Sequence, residues 1–123
     1  MAAGLINAAL PGQKIVVISV LKNHRGLDND IKELVTNNRS AWHVFHNYHC
    51  GGYAKFTPDL LSYMNELYRE SGIPTDFVYT GKLSYAVSHL QKDHVFPTGS
   101  RVLLIHSGGL FGNQSLNKGT LIF

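Results

Sequence analysis

Residues 14–21 (KIVVISVL) place six large apolar side chains in eight positions with no alternation. A strand with one wet face alternates apolar and polar. A run like this one needs cover on both faces, which is the situation of a parallel strand between helices. Residues 101–106 (RVLLIH) are a second run of the same type, and residues 41–45 (AWHVF) form a short third candidate. Around them lie segments of helical period. The expected fold class is therefore α/β, with a mainly parallel sheet in three layers and helices on both faces.

Four helices are predicted. Residues 2–10 form a short one stopped by Pro11-Gly12, with no capping residue in front of it. Residues 28–38 carry Ile31, Leu34 and Val35 on one face. Thr57-Pro58-Asp59 is a strong helix start: a hydroxyl cap, a proline in the first position and an acid in the first turn. That helix runs to about Ser71, buries Leu60, Leu61, Met64, Leu67 and Tyr68, and stops at Gly72. A fourth opens at Thr80-Gly81, carries Leu83, Ala86, Val87 and Leu90 at helical spacing, and ends before Phe96-Pro97. Two or three strands make a thin sheet for four helices. The sequence reads as part of an α/β domain, or as a chain that needs a partner to close its sheet.

Composition narrows the function classes. At 123 residues and 44% hydrophobic content the chain can bury a core. Its 15% charged content and mean hydropathy of −0.06 fit a water-exposed globular surface, and no apolar run reaches a membrane-spanning length. No basic region precedes an apolar stretch at the start, so no secretory signal is expected. The net charge of +3 comes from scattered residues, not from a basic face, which argues against nucleic acid as partner. The single cysteine, Cys50, excludes an internal disulfide and fits a reducing, cytoplasmic setting.

Four constellations bear chemistry. His106-Ser107-Gly108-Gly109 follows a predicted parallel strand, at the end where ligands sit in open α/β sheets; a tight strand-to-loop turn is the plainer reading. Residues 76–82 (DFVYTGK) put Tyr79 and Thr80 at a helix N-terminus, which favours anions, or simply cap and pack that helix. The glycines of a P-loop are missing in front of Lys82. Residues 48–53 (YHCGGY) form a Gly-rich loop before a well-capped helix and belong at a surface or cleft. His43, His46 and His49 with Cys50 invite a zinc reading. Spacing of three does not converge on a strand and converges poorly on a helix, so no metal site is expected. Nothing near Cys50 marks it as a nucleophile, and there is no G-x-S-x-G elbow.

Residues 72–82 (GIPTDFVYTGK), followed by residues 96–110 (FPTGSRVLLIHSGGL), resemble the C-terminal third of the 1-aminocyclopropane-1-carboxylate deaminase / D-cysteine desulfhydrase family. These are fold-type-II enzymes dependent on pyridoxal phosphate. Residues 48–55 (YHCGGYAK) resemble the family's Gly-Tyr-Gly-Lys loop, and residues 1–21 resemble the helix and strand after its phosphate-binding loop. The likeness extends over essentially the whole chain. It implies that Tyr53 and Tyr79 are catalytic tyrosines at the substrate, acting as nucleophile or proton-transfer groups. A free phenol has a pKa of ~10, so either role needs a lowered pKa or a cationic neighbour. It implies that Thr80, Ser107 and Gly108 line the cofactor, Thr80 at the pyridine nitrogen. Where this chain has Thr80 and Ser107, the cyclopropane-opening deaminases carry Glu and Leu, and the D-cysteine desulfhydrases carry hydroxyl residues. A hydroxyl leaves the ring nearer neutral, which suffices for expelling sulfide. The resemblance therefore leans towards β-elimination from a D-amino acid such as D-cysteine.

The resemblance also defines what the sequence lacks. None of Lys14, Lys22, Lys32, Lys55, Lys82, Lys92 and Lys118 sits in the family's Schiff-base context. Without that amine no covalent link to the cofactor forms, and the chain alone is not expected to be catalytic. The sequence reads as residues 1–123 of a C-terminal portion that begins at an internal Met. A small amino acid is its implied substrate and a homodimer its implied assembly. The alternative is a non-catalytic α/β binding module that retains a cofactor-shaped pocket.

Overall fold

A computed structural model describes residues 1–37 and 39–123. The run of β-branched residues forms β1 (Lys14–Ile18), which pairs in parallel with β2 (Ala41–Phe45) in the register Lys14 to Ala41 through Ile18 to Phe45. The Ser19 N–H extends the ladder by donating to the Phe45 carbonyl at 2.9 Å. Between the strands lies α2 (Leu27–Leu34), with Asp28 and Asp30 in its first turn and Lys32 in its last, as the helix dipole favours. It ends short of the predicted boundary, and Asn38, the last residue of that prediction, lies outside the described residues. In front of β1 is α1 (Ala2–Ala8).

The two sheet faces are used differently. Ile15 and Val17 of β1 and Trp42 and Val44 of β2 point the same way, and there Ile6 of α1 and Ile31 of α2 close a first small core over them. Asn7 locks α1 to the turn after α2: its side chain accepts from the Thr36 N–H at 2.8 Å and donates to the Leu34 carbonyl at 3.0 Å. The opposite face carries His43 and Phe45. A line of rings leads from it through Tyr48 and His89 to Tyr85 and Tyr63. Those last residues belong to α3 (Pro58–Ser71) and α4 (Thr80–Lys92). The architecture is thus a parallel α/β arrangement with helices on both faces, as expected, around a sheet of two strands among the described residues.

A second core forms where α3 and α4 meet, from Leu60, Met64, Phe77 and Val78. The start of α3 is as predicted: the Thr57 hydroxyl accepts from the Leu60 N–H at 3.3 Å, Pro58 is the first helical residue, and Gly72 ends the helix at φ 69°. The C-terminal tail closes this core. Asn65 donates to the Thr120 carbonyl and accepts from the Ile122 N–H, both at 3.0 Å, and Phe123 packs on Tyr68.

One expected strand is absent. Residues 101–106 run as irregular chain, with Val102 half-exposed and Leu103 82% exposed. A strand is stable only beside another strand, and an apolar run of this kind also needs cover on both faces. Here it pairs with neither β1 nor β2. The short third candidate, residues 41–45, is the true partner of β1, because the crossover through α2 brings it alongside.

Candidate functional site

The Gly-rich loop at residues 48–55 and the loop that opens α4 face one another. Their tyrosines meet: the rings of Tyr53 and Tyr79 lie 6.0 Å apart, edge to face at 65°. Both residues remain open to solvent, at 57% and 49% exposure. Hydrogen bonding with the Tyr53 hydroxyl, then the small loss of solvent, then the negative charges of Tyr53 in its ionised form and of Asp76, hold the Tyr79 phenol above its ordinary pKa. At neutral pH the Tyr79 phenol is therefore protonated, as an ordinary phenol is.

Asp76 makes this arrangement rigid. Its buried carboxylate accepts from the N–H groups of Val78, Tyr79 and Thr80 at 2.9 to 3.3 Å. The exchange with Thr80 is reciprocal. The Thr80 hydroxyl donates to Asp76 Oδ1 at 2.9 Å and accepts from the Asp76 N–H at 2.8 Å. These bonds satisfy the orphan donors at the helix start. Sequence reasoning gave the cap to Thr80, but the helix starts there with Tyr79 as its N-cap residue and Asp76 as the acceptor. The signal was present as an acid ahead of the helix start, hidden because Thr80 is itself a good capping residue.

In the first turn of α4 lies Lys82, fully buried, whose Nζ donates to the Gly52 carbonyl at 2.7 Å. Burial pulls its pKa down, against the opposing influence of Cys50 and Asp76. The Cys50 thiol is pushed up by burial, with Lys82 and Thr57 pulling the other way. His49 is lowered by burial and by Lys22 and Lys82; its Nδ1 accepts from the Gly51 N–H at 3.0 Å.

The predicted site residues divide into two groups. Tyr53, Tyr79 and Thr80 come together, although the Thr80 side chain faces inward and is engaged by Asp76. Ser107 and Gly108 lie on an exposed segment tied to the start of the loop that leads to Tyr79: His106 Nε2 is 3.0 Å from the Pro74 carbonyl oxygen, and His106 Nδ1 accepts from the Gly108 N–H. Among the described residues no hydrogen bond joins Ser107 or Gly108 to the tyrosine pair. Asn113 was not anticipated. Its amide donates to the Thr75 carbonyl at 3.0 Å and its oxygen accepts from the Phe77 N–H at 3.1 Å, so the tail braces the tyrosine-bearing loop.

The histidine run is spread out. His46 pairs with Asp28 at 2.8 Å and His43 packs edge to face with Phe45. Among the described residues no group of three or more His, Cys, Asp or Glu side chains is placed to hold a metal ion.

The chain is similar over part of its length to one curated protein. Across 68 residues, 54% of this chain, it is 35% identical to the bifunctional D-cysteine desulfhydrase/1-aminocyclopropane-1-carboxylate deaminase, mitochondrial, of Arabidopsis thaliana. The match spans 17% of that protein's length. No family model matches the chain, and no solved structure matches it. Among the described residues no helix is long and apolar enough to cross a membrane.

The residues in hand do not by themselves fit pyridoxal phosphate. Lys82 is the one buried lysine and its amine is committed to Gly52; the other six are exposed. The Thr80 hydroxyl, expected at the pyridine nitrogen, both donates to and accepts from Asp76.

Proposed function

We propose that this chain is the C-terminal, tyrosine-bearing part of a pyridoxal-phosphate-dependent lyase or deaminase acting on a small amino acid. D-cysteine is the favoured substrate and 1-aminocyclopropane-1-carboxylate the second. The reading is carried by the meeting of Tyr53 and Tyr79 on two separate loops, with both residues half-exposed. The partial identity to a protein of that name supports it. In this reading the cofactor is held by residues outside these 123. The chain contributes a wall that faces the substrate: Tyr79 holds a proton at its Oη, and Tyr53 is its hydrogen-bonding partner. With D-cysteine the net reaction takes up one water and releases sulfide, ammonia and a 2-oxo acid. The setting is a reducing one such as the cytoplasm, in keeping with the unpaired Cys50.

The test is a chimera in which this chain replaces the matching segment of the Arabidopsis protein. Sulfide release from D-cysteine and ammonia release from either substrate are measured. The chimera is expected to release sulfide, and Tyr79→Phe to lower kcat roughly 10²- to 10⁴-fold, the range for loss of a positioned acid or base. The chain alone, mixed with pyridoxal phosphate, is expected to show no lysine-dependent absorbance at ~420 nm. A folded, cofactor-loaded chimera without product contradicts the reading.

A further inference from the structure

The contact between Lys82 and Gly52 links the two tyrosine-bearing segments, and the proposed function leaves it unused. Gly52 directly precedes Tyr53, and Lys82 lies one helical turn after Tyr79. The hydrogen bond of 2.7 Å therefore ties the residue before Tyr53 to the helical turn that follows Tyr79. We propose that Lys82 is a positioning residue: its buried ammonium grips the Gly52 carbonyl and so holds Tyr53 against Tyr79.

Three observations support this assignment. First, an apolar side chain would fill the same space without the desolvation penalty of an ammonium, so what Lys82 adds is a strong charge-assisted bond to one carbonyl. Second, the loop it grips is held in an unfavourable shape. Cys50, Gly51, Gly52 and Ala54 all have positive φ, at 50°, 97°, 119° and 51°. Backbone of this kind persists only where its surroundings over-determine it, and Cys50 and Ala54 lack the freedom of glycine. Third, the loop has no slack at the gripped residue. A Cβ on Gly52 would stand 3.3 Å from Lys22 Cβ, and the Gly52 carbonyl also accepts from the Lys55 N–H at 3.1 Å. The Gly52 carbonyl is thus fixed from two sides, and the direction in which Tyr53 leaves the loop is fixed with it.

The catalytic consequence rests on the proposed function; the geometric claim does not. NMR on the 123-residue chain tests the geometry. In the wild type a ring-to-ring cross-peak between Tyr53 and Tyr79 is expected, with a scalar coupling from Lys82 Nζ to the Gly52 carbonyl carbon. Lys82→Met is expected to lose the first cross-peak while keeping the one between Tyr63 and Tyr85, a separate pair 5.4 Å apart that reports intact packing of α3 on α4. Persistence of the Tyr53–Tyr79 cross-peak in that variant overturns the proposal, as does its absence from the wild type. If Lys82→Met does not fold, the wild-type coupling decides: its presence supports the grip and its absence overturns it. In the chimera the variant is expected to lower kcat by about tenfold or more with KM little changed, since a small misplacement of a catalytic group costs that much. An unchanged kcat overturns the catalytic role. A chimera that makes no product while the NMR results hold defeats the proposed function and leaves the grip standing.

Discussion

Gly81 shows how little room one residue has at the start of α4. A Cβ there would come within 2.7 Å of the Asp76 carbonyl oxygen and 2.8 Å of Met64 Sδ. The glycine is required by packing, not by a left-handed backbone. Gly81→Ala must push α4 away from Asp76 or Met64 out of its core, at a cost of about 1–3 kcal/mol, the usual range for overpacking. Urea unfolding measures it, and a loss below a few tenths would contradict the close approach. Tyr63 supplies a prediction with a pH sign. Its hydroxyl donates to the Ser84 carbonyl at 3.0 Å, and burial, foremost, raises its pKa. Because the native state holds this proton more tightly than the unfolded chain, the stability it contributes is present below its ordinary pKa of 10.0 and is lost as pH rises through the raised value. Tyr48, Tyr79 and Tyr85 are shifted the same way and Lys82 the opposite way. Tyr63→Phe should cost about 1 kcal/mol at neutral pH through the lost hydrogen bond. It should also lose less stability than the wild type as pH rises from 10.0 through the raised value. Equal losses in the two proteins would contradict the assignment.

Among the elements, legibility followed how local the cause was. The helix α3 is specified by neighbours in sequence: the Thr57 cap, Pro58, the spacing of Leu60 and Met64, and Gly72 at its end. It forms where it was predicted. The start of α4 was also readable, but its cap lies in Asp76, four residues before Thr80, and needs the loop's three-dimensional path. The strands depend on distant partners. The runs at 14–18 and 101–106 are both rich in large aliphatic residues, yet only the first finds a neighbour, and residues 41–45 form β2 because α2 returns the chain there. The burial of Lys82 is not legible in the sequence, since nothing around it marks a lysine as buried. The tyrosine pair was named from the family resemblance; the two residues are 26 positions apart, so no local pattern could join them. The unpaired run 101–106 leaves Val102 and Leu103 exposed. Leu103→Lys should leave the unfolding free energy within about 0.5 kcal/mol of wild type, as exposed substitutions do. A large destabilisation would show that Leu103 is packed in solution.

At the scale of the whole molecule two small cores share one chain. One lies where α1 and α2 cover a face of the sheet, and the other lies between α3, α4 and the tail. The aromatic line from Phe45 to Tyr63 runs from the other face of the sheet to α3 and α4, and the tyrosine pair sits where the Gly-rich loop meets α4. The molecule thus holds two phenols in a fixed relation, and in the proposed reading they act as one unit. A double-mutant cycle on the chimera with D-cysteine tests this most directly, by comparing kcat for Tyr53→Phe, Tyr79→Phe and both together. Residues that act as a unit lose about as much singly as together. The account predicts that the double variant falls no further than the worse single one. Losses that multiply, or no loss in either single variant, would contradict it.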